Sequence, residues 1–324
     1  MRDLPPELAT TTERQQQIAT RAQLLAAGYD DMYLYRQARR GRWQRVLPAT
    51  YALVTGVLTD EQRRISAALY AGPQAQLTGM AALTWYGFRQ IPRTADVHLV
   101  VPHEVRRRSV GYALVRRALA LDARPRSSAL YPVCSPARAV VDAARDLRQL
   151  RPVRAIVAES IQRGFTDLGT LDEEIRRARR SRTALIRIAY AEVLAGTRSA
   201  PEAELRECLA GSAILPEVRW NPRLATSDGA ALPTPDGYLT DSAVALEVDS
   251  QEYHFSPGDW ARTLERHNEL SRHGVLVLHV TPAQLRQHPE RIRRTVEDAH
   301  ESRRGVGLTL RVRVRPAVPD PAGA

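Results

Sequence analysis

From Ala243 to Asp249 the chain alternates. Val244, Leu246 and Val248 fall on one side and Ala245, Glu247 and Asp249 on the other, the period-2 pattern of a strand. Glu247 and Asp249 therefore point the same way, about 7 Å apart at the strand rise. Asp236 stands eleven residues before Glu247. With residues 240–243 as a four-residue hairpin turn, Leu239 pairs with Val244 and Asp236 falls opposite Glu247, so the two share a face. Three carboxylates gathered this way repel one another unless protons or a divalent cation compensate. Mg²⁺ or Mn²⁺ takes such hard oxygen ligands and keeps waters, one of which can attack a phosphodiester.

The flanking pattern places this hairpin in an α/β domain. Ser256, Pro257 and Asp259 read as N-cap, N1 proline and acidic first turn of a helix that runs to His273 and stops at Gly274. The apolar run 275–280 suits a buried strand, and strand, helix, strand is a right-handed crossover with parallel strands. Upstream, residues 201–210 are helical and 217–224 form a first strand, which gives the order αβββαβ. His254 follows the acidic strand closely enough to serve it as a general base or phosphate ligand. Two roles stand open for Glu202: a metal-side carboxylate, or the acid of a capping box with Ser199. Arg266, His267 and Asn268 lie on the crossover helix, where a surface position is the better reading of His267.

Nearer the N-terminus the period lengthens. Residues 13–27 read as a helix with Ile18, Leu24 and Leu25 available for a core and Gly28 as its stop. Asp30 caps a second helix carrying Tyr33, Arg36, Gln37, Arg39 and Arg40 and ending at Gly41. A strand-like segment, residues 43–53, comes next, with Arg42 and Arg45 at its entry and a turn at Pro48-Ala49. Helix, glycine turn, basic helix and β-ribbon is the order of a winged helix-turn-helix, whose second helix enters the major groove. Arg36, Gln37, Arg39, Arg40, Arg42 and Arg45 are the DNA-binding candidates; a solvated basic face is the competing reading. Trp43 and Tyr51 are read as core.

Residues 58–196 form a mixed α/β region. Helices are predicted at 60–70, 78–86, 136–147, 152–163 and 168–193, and strands at 97–101 and 112–116. Its arginine runs, 106–108 and Arg176, Arg177, Arg179, Arg180 and Arg182, are read first as solvent faces paired with local acids such as Glu173 and Glu174. Tracking a phosphate backbone is the alternative.

Two resemblances attach to these residues. Pro235, Asp236, Glu247 and Asp249, with Tyr253-His254 after them, resemble the PD-(D/E)xK nuclease superfamily, most closely its very-short-patch-repair branch. Asp249 stands where the superfamily usually has lysine. The segment GRWQRVLPATYAL, residues 41–53, is similar to the N-terminal domain of AbiEi-type antitoxins, and the mixed region behind it is similar to the region behind the winged helix in those proteins. The resemblances imply an α+β winged helix (1–57) and mixed middle domain (58–196), an α/β restriction-endonuclease-like domain (197–304) and an extension (305–324). The activity implied is phosphodiester hydrolysis with Mg²⁺ or Mn²⁺ held by Asp236, Glu247 and Asp249 and assisted by His254. The alternative is a transcriptional regulator or antitoxin-like protein on a non-catalytic nuclease fold.

Composition then sharpens the choice of partner. The net charge of +11, with a sequence pI of about 10.3, makes an anionic partner the first expectation. All 47 basic residues are arginine, as a GC-rich genome would encode, so the charge is permanent and each guanidinium can fork onto phosphate. The two cysteines, Cys134 and Cys208, have no metal or disulfide spacing, and no apolar run approaches a membrane span. The expected compartment is the cytoplasm, away from membranes. The expected partners are DNA, a toxin or other defence-system component, and a second copy of the chain. Residues 316–324, rich in proline and alanine, are expected to be disordered.

Overall fold

In a computed structural model of the chain, which describes residues 4–248, 257–310 and 312–315, Gln16 and Gln17 take positive φ angles of 48° and 65°. The helix expected over residues 13–27 is cut there into α1 (Pro6–Arg14), β1 (Ile18–Thr20) and α2 (Arg21–Ala26). Sheet pairing overrides local helix propensity: Ile18 pairs with Ala52 and Ala19 with Tyr51, which buries both fully. Thr20 and Gln23 then close a capping box that starts α2 afresh.

Two compact units make up the chain, Met1–Tyr190 and Ala191–Ala324. The first opens with the elements above, then α3 (Asp31–Arg39), β2 (Gln44–Leu47) and β3 (Thr50–Ala52), in a sheet of order β1-β3-β2. This is the connectivity of a winged helix. Asp30 caps α3, its carboxylate accepting the Tyr33 N–H at 2.6 Å. Asp30→Ala should lower global stability by about 1 kcal/mol, read as a shift of the denaturation midpoint at unchanged slope.

The same unit continues through α4 (Asp60–Ala71), β4 (Gln76–Leu77), α5 (Gly79–Trp85), β5 (Val97–Pro102), β6 (Ala113–Ala118), β7 (Arg126–Ser127) and β8 (Pro132–Val133). These strands form a mixed sheet of order β6-β5-β4-β8-β7. Helices α6 (Pro136–Ala144), α7 (Leu150–Gln162), α8 (Leu168–Arg177) and α9 (Ala184–Leu194) come after it, and the division between units falls within α9. The single helix expected over 168–193 is thus two. Between them Ala178 turns extended and Arg182 adopts φ 60°, in a run of five arginines, Arg176 to Arg182, whose like charges disfavour helix.

The second unit holds α10 (Ala200–Ala210), β9 (Arg219–Trp220), β10 (Leu224–Thr226), β11 (Ala231–Leu232), β12 (Gly237–Leu239), β13 (Val244–Val248), α11 (Pro257–Arg272), β14 (Leu276–Val280), α12 (Pro282–Gln287), α13 (Pro289–Ser302), α14 (Val306–Thr309) and β15 (Val312–Val314). Its main sheet runs β14-β13-β12-β9, with β13 and β14 parallel and the other pairs antiparallel. The strand expected over 217–224 is instead two, in different sheets. Asn221, at φ 48° and with Pro222 after it, turns the chain between β9 and β10. The second sheet, β11-β10-β15, draws in residues 312–314 from the expected C-terminal extension; residues 316–324 lie outside the described residues.

Two cores clamp the main sheet. Val244 and Leu246 pack on one side with Leu205 and Leu209 of α10, Leu285 of α12 and Val296 of α13. Tyr238, Ala245 and Val277 pack on the other with Leu270 of α11. Glu247, two residues beyond Ala245, therefore faces α11.

Candidate nucleic-acid interface and acidic sheet face

In a winged helix the helix at the position of α3 is the one laid in the major groove, so α3 carries the candidate DNA-binding residues. Leu34 of α3 is buried with Leu24, Tyr29, Trp43 and Tyr51. Trp43 meets Tyr29 and Tyr33 edge-on at 5.8 and 5.7 Å, so it is a core residue, as expected, as is Tyr51. The other side of α3 is open. Arg36, Arg39, Arg40, Arg42 and Arg45 are all exposed, and none is paired with an acid among the described residues. Arg21 and Asp31 form an exposed ion pair at the adjoining ends of α2 and α3.

Gln37 departs from expectation. It is only 5% exposed, and its backbone carbonyl accepts the N–H groups of Arg42 and Trp43 at 3.1 and 3.3 Å. It shares the inward face of α3 with Leu34, three residues earlier, which removes it from the DNA-binding set and makes it a fastener between α3 and the ribbon. Two residues absent from that set share the exposed side of α3. Met32 and Tyr35 are 60% and 59% exposed, and with Arg36 and Arg39 they make a continuous stripe at i, i+3, i+4 and i+7. The signal was present in the sequence as two apolar side chains on the face opposite Leu34.

In the second unit, Leu239 pairs with Val244 and Gly237 with Leu246. One further step in that register sets Asp236 opposite Glu247, on the face of Tyr238 and Ala245. Asp236 accepts the Val248 N–H at 2.8 Å. A side chain at Gly237 would lie 3.2 Å from Leu246, Trp220 and Val218, so a glycine beside Asp236 lets the strands close up. Burial pushes the Asp236 carboxyl up to about 6, and the nearby negative charge of Glu202 adds to the shift. The Val248 N–H, Arg266 and Arg198 oppose it.

Glu202 is 6% exposed. Ser199 caps its N–H at 3.2 Å, but the Glu202 carboxylate turns to the Arg198 N–H at 2.9 Å and the Asn221 amide at 3.1 Å. Only half of the capping box is made, and the charged half is left facing Asp236.

Glu247 meets Arg266 of α11 at 3.4 Å. On its other side it pairs in register with His279 of β14, a residue that sequence reasoning missed because the parallel register is invisible before the fold. His279 Nε2 lies 2.9 Å from His267 Nδ1, and the rings stack at 5.2 Å. His267 thus packs on a partner ring and is not a bare surface residue. The face carries, in order across the sheet, Asp236, Glu247 and His279. Asp249 and His254 lie outside the described residues.

Asp236 and Glu247 are hard oxygen donors of the kind Mg²⁺ and Mn²⁺ accept. Among the described residues no group of three or more His, Cys, Asp and Glu side chains is placed to hold a metal ion. Of the arginines read as solvent faces, Arg176 pairs with Asp172 and Arg177 with Glu173 and Glu174. No helix among the described residues is long and apolar enough to cross a membrane.

Comparison with known proteins bears on the N-terminal segment. Residues 7–54, which span α1 to β3, match the AbiEi_4 family, described as "Transcriptional regulator, AbiEi antitoxin". No curated protein matches the chain. Among solved structures it is similar to that of the RV2827C protein from Mycobacterium tuberculosis, with 16% identity, a TM-score of 0.40, and coverage of 68% of this chain and 90% of that one.

Proposed function

We propose that the protein is a DNA-binding transcriptional regulator of antitoxin type that reads duplex DNA with α3. The observation that carries this reading is the stripe of Met32, Tyr35, Arg36 and Arg39, exposed on the helix that a winged helix lays in the major groove. Arginine forks fit guanine edges and phosphates, and the apolar side chains of Met32 and Tyr35 suit thymine methyl groups. Arg40, Arg42 and Arg45 flank the stripe and reach the backbone. The AbiEi family match supports the regulator role and brings a cognate toxin as the expected protein partner.

The test is duplex binding at a series of salt concentrations. Each phosphate contact contributes about −0.9 to the log–log slope, so several contacts give a slope steeper than about −3. A flat salt response, or no duplex binding at low salt, would overturn the reading.

A second reading rests on the juxtaposition of Asp236 and Glu247 in a unit built as helix, three antiparallel strands, helix and parallel strand. It takes the second unit as a phosphodiester hydrolase in which Asp236 and Glu247, with Asp249, would hold Mg²⁺ or Mn²⁺. When bound, such an ion offsets carboxylate charge and activates water. On this reading Arg266, 3.4 Å from Glu247, would meet a phosphate there, and His279 and His267 would carry a proton. Plasmid nicking with either metal, lost in Glu247→Gln while duplex affinity is kept, is the expected result. Absence of nicking with both metals, on single- and double-stranded DNA, leaves the regulator alone.

A further inference from the structure

Between the end of α6 and the start of α9 lies a cavity of about 300 Å³, lined by Arg145, Arg148, Arg182 and Asp146 and by Ala184 and Leu185, the first residues of α9. Three guanidiniums meet a single carboxylate there: one Asp146 oxygen accepts from Arg116, and the other is buried without a hydrogen-bond partner, 3.6 Å from His98 Nε2. Arg145 has one long ion pair, its Nη1 lying 3.8 Å from Asp142 Oδ1, while the other Asp142 oxygen, Oδ2, accepts from Arg138 at 2.8 Å and Thr78 at 2.7 Å. The Arg145 Nε is buried without a hydrogen-bond partner, an arrangement that costs free energy unless something outside the chain accepts from it. Among the described residues no acid pairs with Arg148 or Arg182. Burial holds Arg116 below its ordinary pKa, and the positive charges of Arg145 and Arg182 push it the same way against Asp142.

Like charges so gathered repel, and an anion relieves them. The first turn of α9, through Ala184 and Leu185, brings the positive end of the helix dipole to the cavity. Guanidinium forks match the paired oxygens of a phosphoryl group better than a single carboxylate oxygen or a halide. The cavity, at the lower end of the size range of small-molecule sites, has room for more than a bare tetrahedral ion.

We propose that this cavity binds a phosphoryl anion through Arg145, Arg148 and Arg182, at the positive end of the α9 dipole. The phosphoryl group is carried either by a free nucleotide or by the backbone of a nucleic acid. The site is separate from the α3 surface and does not depend on the reading of α3 as the DNA-reading helix.

The test uses the full chain. Binding of inorganic phosphate, of ATP without metal, and of a short DNA duplex is measured by titration calorimetry at constant ionic strength set with NaCl. Three proteins are compared: wild type, Arg148→Gln/Arg182→Gln, and Arg291→Gln/Arg294→Gln, an exposed pair with the same change in charge. Wild type is expected to bind phosphate and to bind ATP more tightly, with about a tenfold or greater loss in Arg148→Gln/Arg182→Gln from two missing charge-assisted contacts and no loss in the control pair. If the variant loses affinity for the duplex alone, the phosphoryl group belongs to nucleic acid; if for phosphate and ATP alone, to a free nucleotide. Equal losses in the two double variants, or none in either, overturn the proposal. Arg148→Lys/Arg182→Lys, which keeps charge but not the fork, should fall between wild type and the glutamine variant, and its far-ultraviolet circular dichroism checks that the fold is kept.

Discussion

Replacing Arg36, Arg39 and Arg40 together with alanine is expected to weaken duplex binding about a hundredfold at physiological salt, and to make the log–log salt slope about 3 units shallower. All three side chains are exposed on or just beyond α3, so their removal leaves the core of Leu34, Trp43 and Tyr51 untouched and changes unfolding free energy by no more than about 0.5 kcal/mol. Binding and stability therefore separate in this variant. Gln37→Ala should leave affinity per folded molecule unchanged, because Gln37 faces inward and its bonds to Arg42 and Trp43 are made by the backbone carbonyl that alanine keeps. Tyr35→Ala should keep the salt slope and reduce discrimination between duplexes, as a base contact does and a phosphate contact does not. Fluorescence anisotropy at several salt concentrations, with chemical denaturation of each variant, measures all of this. Unchanged affinity in the triple variant would remove α3 as the DNA-reading element.

Asp236→Asn is expected to stabilise the protein at pH 8 by an amount on the order of 3 kcal/mol, and to leave it little changed at pH 4. With its carboxyl pushed up to about 6 in the folded state, Asp236 stays protonated there at pH values where the unfolded chain has already ionised it. Wild-type stability therefore falls as pH rises from about 4 to about 6, and the whole penalty is present above that window. Asparagine cannot ionise, yet keeps an oxygen for the Val248 N–H, so the penalty disappears without loss of the 2.8 Å bond. Urea midpoints across the pH range measure the difference. A variant no more stable than wild type at pH 8 would show that solvent or a cation already neutralises the carboxylate. Mn²⁺ separates those two cases: if the ion binds, it raises the unfolding temperature of wild type and not of Asp236→Asn.

The hairpin that carries Asp236 was legible because its signals are local: strict alternation from Val244, a four-residue turn, and a fixed register between Leu239 and Val244. The β2–β3 ribbon with its turn at Pro48-Ala49, and the Asp30 cap of α3, were legible for the same reason. What could not be read came from partners distant in sequence. Ile18 and Ala19 look helical until β3 offers them a neighbouring strand. The sheet that joins β10 to β15 brings together residues about ninety positions apart, and nothing in either short segment announces the other. His279 beside Glu247 depends on a parallel register set by packing of the crossover helix. Gln37 failed differently: its residue type suits base recognition, but its angular position, three residues from Leu34, turns it inward.

The ribbon itself limits how much sequence one copy can read. Between β2 and β3 the chain turns through Pro48 and Ala49 alone, with Ala49 at φ 56°, so the wing is a stub that ends close to the sheet. If α3 reads DNA as proposed, a stub of that length would leave the neighbouring minor groove untouched, and the nine residues of α3 would cover only part of one major-groove face. The information then available to a single copy would be a few base pairs, too little to mark one locus among the millions of competing sites in a genome. On the proposed reading, unique addressing would take a second reading head, and on B-form DNA two such heads fall in phase when their half-sites lie about 10 base pairs, or a multiple of that, centre to centre.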